Sequence, residues 1–161
     1  MAKQAKRYWL MKSEPDVYSI DDLAKDGSTM WEGVRNYQAR NYMRDDMKKG
    51  DGVFFYHSNL DKAIVGVARV SKEAYPDPTQ LDPKHKYFDK KAKPENPPWL
   101  VVEIEFVAKL DKPIELATLK DHDDLETMAV TQKFQRLSVQ PVDYAHWKTI
   151  CKMAGIKAGI V

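Results

Sequence analysis

Trp-Glu-Gly-Val-Arg-Asn-Tyr-Gln-Ala-Arg-Asn (residues 31–41), a short charged connector, and Gly-Asp-Gly-Val-Phe-Phe-Tyr-His-Ser (residues 50–58) make up the stretch on which the fold turns. An aromatic, a glycine, an arginine and an asparagine crowd into Trp31–Asn36. Gly33 interrupts both helical and strand patterning, so Trp31–Arg35 reads as irregular. A helix is expected from Asn36, a good N-cap residue. Ala39, Met43 and Met47 then share one face, and Asn36, Arg40 and Arg44 another. Lys48–Asp51 reads as a turn, and Val53–Tyr56 as an apolar, aromatic strand ending in His57-Ser58. Such a cluster suits a pocket for one flat, partly polar ligand, a flipped nucleobase above all. The rest of the chain is then the small β-barrel that holds it.

Working outward, Arg7–Lys12 is an apolar run of strand length, ended by Ser13-Glu14-Pro15. Ser19 with Asp21 and Asp22 has the form of a helix start, and Gly27 stops that helix after Lys25. Asn59–Lys62 is a turn, and Ala63–Ser71 pairs with Val53–Tyr56 as an antiparallel hairpin. Gly66 marks a bulge or a close backbone approach. Residues 74–98 carry six prolines and many lysines with little periodicity, which predicts a long loop. Strands are expected at Trp99–Val107 and Arg136–Val142, with a short edge strand at Pro113–Leu116. Helical turns are expected at Leu116–Lys120 and Leu125–Val130. A final helix runs from the cap Asp143 to Ala154 and ends at Gly155. Five or six mostly antiparallel strands with short peripheral helices define an α+β, barrel-like class, not a doubly wound one.

With 161 residues, 43% hydrophobic and 31% charged, the chain can bury a core of its own. A net charge of +2 is too small to announce a polyanion partner, so any basic footprint has to be local. The single cysteine, Cys151, excludes an intramolecular disulfide framework and a cysteine-based zinc site, and fits a reducing compartment. His57, His85, His122 and His146 lack metal-ligand spacing, and no phosphate-binding glycine motif occurs. No metal, no cofactor and no enzymatic activity are therefore expected. Met1–Pro15 lacks the apolar core of a signal peptide, and no run reaches membrane-spanning length. A cytoplasmic protein is expected. A monomer is the simplest state, although the apolar final helix permits a dimer.

Seven blocks in order carry a family resemblance: YWLMKSEP, WEGVRNYQARN, GDGVFFYHS, IVGVARV, AYPDPT, PPW and RLSVQPV. Together they resemble the EVE domain of bacterial EVE proteins and of the thymocyte nuclear protein family, over about Tyr8 to Ile156. The resemblance implies a PUA-like pseudo-barrel forming one domain over residues 7–156, behind a flexible tail of residues 1–6. It also implies binding to DNA or RNA through a modified base, such as a modified cytosine. The related YTH domain holds a methylated base in an aromatic cage. That likeness places Trp31 at the first cage position and Lys12-Ser13-Glu14 beside the pocket.

The chemistry of the residues supplies the candidates. Trp31 is a stacking surface for the base or an ordinary core tryptophan. Gly33 and Val34 share its loop. Arg35 and Asn36 offer donors and an acceptor to a base edge, with helix capping the alternative role for Asn36. Tyr56, His57 and Ser58 stand at a strand end, where a barrel mouth lies, and His57 can donate or accept near neutral pH. Glu14, an acceptor only, suits an exocyclic amine, and Ser13 adjoins it. Ser138 and Gln140 share one face of the last strand and complete a polar wall. Lys12, Arg40, Lys84, Lys86 and Arg136 are the phosphate contacts expected around the pocket, and Tyr87 and Phe88 offer a platform within the loop lysines. Two other functions use the same residues. A small hydrolase or nuclease would employ Glu14 or His57 as acid or base, and a small-molecule sensor would need only the pocket.

Overall fold

The computed structural model describes residues 5–133 and 135–161; residues 1–4, most of the expected N-terminal tail, lie outside it. The chain runs β1 (Tyr8–Ser13), α1 (Ile20–Asp26), β2 (Ser28–Met30), α2 (Tyr37–Asn41), β3 (Gly52–His57) and β4 (Ala63–Pro76). It continues through β5 (Leu100–Glu115), α3 (Leu116–Asp121), β6 (Val139–Val142) and α4 (Tyr144–Ala154). The strands form one six-stranded sheet in the order β2-β5-β4-β3-β1-β6. All pairs are antiparallel except β1 with β3, which run parallel with Trp9 opposite Val53 and Ser13 opposite His57. The parallel pair was not expected. It arises because α1, β2 and α2 together form the crossover between its strands, and such a mixed crossover lacks the simple alternation that announces a βαβ unit.

Both faces of the central strands are buried, which explains why they read as unbroken apolar runs. Trp9, Met11, Val53 and Phe55 point to one core with Ile20, Leu23, Trp31 and Met43. Leu10, Phe54 and Tyr56 point to the other, against Leu119, Trp147, Ile150 and Cys151. Trp147 stacks on Phe54 at 4.1 Å, so α4 seals the second face.

Several expectations need correction. Pro113–Leu116 is no separate edge strand: residues 113–115 continue β5, and Ile114 and Glu115 pair with Ile64 and Ala63 of β4. The helix expected from Asn36 is α2 for one turn, then a π-helical turn at Tyr42–Asp46. It still buries Ala39, Met43 and Met47. β2 had no sequence signature, since Ser28–Met30 is too short to show alternation. The last strand begins at Val139 rather than Arg136. β4 reaches Pro76, and a 3-10 turn follows at Pro78–Leu81, so the proline-rich loop is shorter and more structured than expected. Gly66 does sit at a register shift. A Cβ there would lie 2.7 Å from Ile20 Cγ1 and 2.9 Å from the Ala108 carbonyl oxygen, so α1 packs directly on bare backbone.

Candidate functional site

A cleft of about 1460 Å³ opens where β1 and β3 end. Because the two strands are parallel, their carboxyl ends meet there and deliver Ser13, Glu14, Tyr56 and Ser58 to one place. β6 enters antiparallel beside β1, so its approach, Arg136 to Ser138, joins the same rim, and Lys12 N–H donates to the Ser138 carbonyl at 2.8 Å. β2 leads into Trp31, whose N–H donates to the Val102 carbonyl at 2.8 Å and continues the β2–β5 ladder. The Trp31 ring meets Phe55 edge-on at 5.5 Å and lines the cleft while only 8% exposed. It is thus a core residue and a wall residue at once.

Gly33 has φ +82°, and a Cβ there would stand 2.5 Å from the ring of Tyr87. The glycine is required for its backbone conformation and for the close packing of a loop aromatic. Arg35 holds that loop by donating to the Tyr87 carbonyl from Nε (3.2 Å) and Nη2 (2.6 Å), and it pairs with Asp77 at 2.9 Å. Asp77, fully buried, also accepts from Gly33 N–H, Thr79 N–H and the Thr79 hydroxyl. Burial pushes its carboxyl up, but the Thr79 hydroxyl, the Gly33 N–H, Arg35 and the Thr79 N–H outweigh burial and hold it below the ordinary carboxylate value. Asp77 therefore fastens the Trp31–Arg35 segment to the loop, and Tyr87 becomes a second aromatic of the cleft wall.

The rim is basic. Lys12, Lys62, Lys86, Lys120, Lys133 and Arg136 line the cleft against Glu14 and Glu32, and among the described residues none of these six cations forms an ion pair. Burial, and then repulsion from Lys62, lower the pKa of Lys12. Its ammonium lies 5.8 Å from the Tyr56 ring centroid and 3.5 Å from the Gln135 carbonyl oxygen. Burial raises the Tyr56 phenol to about 12, so it stays protonated at neutral pH. An anion entering this end of the sheet would relieve the crowding of positive charge.

The sequence candidates divide clearly. The cleft gathers Lys12, Ser13, Glu14, Trp31, Gly33, Val34, Tyr56, Ser58, Lys86, Arg136 and Ser138. The others do not line it. Asn36 caps α2 by accepting from Ala39 N–H at 3.0 Å, and Arg35 stands behind the wall as its fastener. His57 Nε2 accepts from Ile20 N–H at 3.1 Å, at the start of α1, and burial lowers its pKa. Gln140 is buried and donates to the Leu137 carbonyl. Arg40 donates to the Pro98 carbonyl and to Asn41, and Lys84 is exposed on the loop. Within the cleft, the Ser13 hydroxyl donates to the Tyr18 carbonyl at 2.6 Å. Sequence reasoning did not single out Tyr18, Lys62, Lys120 or Lys133 as wall residues, nor Asp77 as the fastener. Nothing local marks them, since each is brought in by a different element.

Residues 7–153 match the EVE domain model. Thymocyte nuclear protein 1 of Gallus gallus is 42% identical over 155 residues, covering 84% of this chain and 63% of that protein. The Homo sapiens protein is 40% identical over 160 residues, covering 87% of this chain and 70% of its own length. The chain thus spans about two thirds of these relatives. A crystal structure of a Pseudomonas syringae protein superposes with a TM-score of 0.88 at 47% identity, over 91% of this chain and 99% of that one. Human THYN1 in complex with 5-methylcytosine-containing DNA superposes with a TM-score of 0.87 at 38% identity, over 92% of this chain and 98% of that one. The YTH domain of Zygosaccharomyces rouxii MRB1, solved with N6-methyladenosine RNA, shares the fold at 13% identity and a TM-score of 0.53, over 98% of this chain and 89% of that one.

Proposed function

The chain belongs to the EVE domain family, and from that premise we propose that it is a non-catalytic reader of nucleic acid, holding a flipped, modified base in the cleft at the ends of β1 and β3. The observation that carries this reading is the cleft itself: Trp31 and Tyr87 in its wall, short polar groups at the strand ends, and a rim of cations that form no ion pair among the described residues. An extruded base needs a π-surface and a few fixed hydrogen-bond partners, and its phosphates need cations outside. Ser13, Glu14, Ser58 and Ser138 would read the base edge, and Lys12, Lys62, Lys86 and Arg136 the backbone. The relative with 5-methylcytosine-containing DNA makes a 5-methylated cytosine in DNA the first ligand to test.

Magnitudes shape the expectation. Burying one methyl contributes about 0.8 kcal/mol, roughly a fourfold preference. Stacking of the base contributes about 1–3 kcal/mol. Affinity thus rests mainly on stacking and phosphates, and a larger preference for the modified base requires a fitted methyl pocket. A reading without catalysis is supported by the disposition of the two acid–base candidates. Glu14 is exposed at the rim, whereas His57 lies outside the cleft with Nε2 engaged by a backbone N–H.

The test is a titration of matched DNA and RNA strands, with cytosine or 5-methylcytosine at one position, at two salt concentrations. Binding that prefers the methylated strand, falls with salt and loses its preference in Trp31→Ala supports the reading. Equal binding of all strands by wild type and variant refutes it.

A further inference from the structure

We propose that a second nucleic-acid contact lies outside the cleft, on a ridge formed by the exposed ring of Tyr37, backed by the buried Trp99 and flanked by the half-buried Arg40, which takes another unstacked base of the bound strand. This inference rests on the reading of the cleft as a base pocket. Tyr37 is 58% exposed, yet its ring is held flat against Trp99, with centroids 4.7 Å apart and planes at 30°. Trp99 is immobilised from three directions. Its N–H donates to Gln80 Oε1 at 3.0 Å, its Nε1–H donates to Asp89 Oδ2 at 2.7 Å, and its carbonyl accepts from Gln80 Nε2 at 2.8 Å. The Arg40 guanidinium stands 4.8 Å from the Tyr37 centroid, fixed by the Pro98 carbonyl and by Asn41 Oδ1.

A lone exposed tyrosine has no meaning by itself. Here an exposed ring is stacked in advance on a rigid, buried indole with a guanidinium 4.8 Å from its centroid, so little rotamer freedom remains to be lost on binding. Every nucleobase presents a π-face to such a step, and guanidinium planes stack on bases as well. Charge favours the same partner: Lys90, Lys91 and Lys93 are exposed on the adjoining loop and form no ion pair among the described residues. The ridge is also continuous with the cleft, because Arg35 lies 5.6 Å from the Trp99 centroid and 5.8 Å from that of Tyr87 in the cleft wall.

The experiment compares wild type, Tyr37→Ala, Tyr37→Phe and Trp31→Ala. The probes are single strands carrying cytosine or 5-methylcytosine, with 2-aminopurine placed in turn at the flanking positions. Tyr37→Ala is expected to bind both strands about tenfold more weakly with an unchanged methyl preference, while Tyr37→Phe stays near wild type. One flanking 2-aminopurine should change its fluorescence with wild type and not with Tyr37→Ala. Wild-type affinity and fluorescence in Tyr37→Ala would overturn the ridge and leave the cleft reading standing if Trp31→Ala still loses the preference. A changed methyl preference in Tyr37→Ala would also overturn the ridge as a separate contact. Loss of affinity in Tyr37→Ala with no methyl preference in wild type would support the ridge and sink the cleft reading instead.

Discussion

Among the described residues two carboxylates are almost completely buried, Asp51 at 3% exposure and Asp77 at 0%, and they serve different ends. Asp51 lies just before β3, at the amino ends of the parallel strands. It accepts from Arg7 N–H, the Trp9 indole N–H and Lys48 N–H, at 2.9 to 3.1 Å. All its partners are neutral donors, and they tie β1 to the turn before β3. Asp77 has three such bonds as well, but adds a guanidinium, and it joins the Trp31–Arg35 segment to the loop that carries Tyr87. Both satisfy the rule that a buried charge needs partners. One holds strands together; the other shapes a wall of the cleft. A buried carboxylate is therefore informative about function only through what its partners move.

The sharpest way to break the comparison is Asp77→Asn. It leaves Arg35 without its counter-ion and should cost about 3 kcal/mol of stability, the low end for a broken buried pair, because Arg35 keeps 23% of its side-chain surface in solvent. Binding of the modified strand should fall further than denaturant melting explains, since Tyr87 loses its anchor. Asp51→Asn should cost about 1–3 kcal/mol, the penalty for an imperfectly satisfied buried group, while the protein that remains folded binds as before. If both variants lose binding in proportion to stability, the two carboxylates are equivalent and the division fails.

Gly33→Ala tests the same wall without touching charge. The positive φ and the Tyr87 ring both oppose a Cβ, so a loss of about 1–3 kcal/mol is expected from backbone strain. Proton exchange or a fluorescence probe on Tyr87 should show the ring displaced. Lys12→Gln removes one rim cation; the slope of log binding constant against log salt should shrink by about one unit or slightly less.

The smallest effects are expected from pH. The folded pKa of Asp77 is depressed, so its stabilisation is complete above the unfolded carboxylate value, about 3.9, and is lost as pH falls through the lower folded value. His57 is depressed too, by burial, and its Nε2 must stay unprotonated to accept from Ile20. The unfolded chain then binds more protons than the folded one below about pH 6.5, so stability declines as pH falls from there. Melting curves should show a shallow loss starting near that pH, absent in His57→Gln, and a separate one below about pH 4, smaller in Asp77→Asn because Asp22, Asp45 and Asp89 are depressed as well.

Much of this was legible from the chain alone, and particular residues show why. Apolar runs such as Trp9–Met11 and Val53–Tyr56 predict buried strands because burial on both faces leaves no polar alternation. Asn36, Ser19 and Gly155 mark helix ends through bonds and dihedrals local to a few residues. The block around Trp31 carried the wall of the cleft with it. Tertiary structure alone decided the parallel pairing of β1 with β3, which brings Ser13 and Tyr56 together from positions 43 residues apart. It alone turned His57 away to serve α1, placed Lys62, Lys120 and Lys133 on the rim, and closed Tyr87 on Gly33 through Asp77. The reason is physical: propensity, capping and periodicity act over a few neighbouring residues, whereas a cleft is made of contacts between segments whose separation in the chain leaves no local pattern.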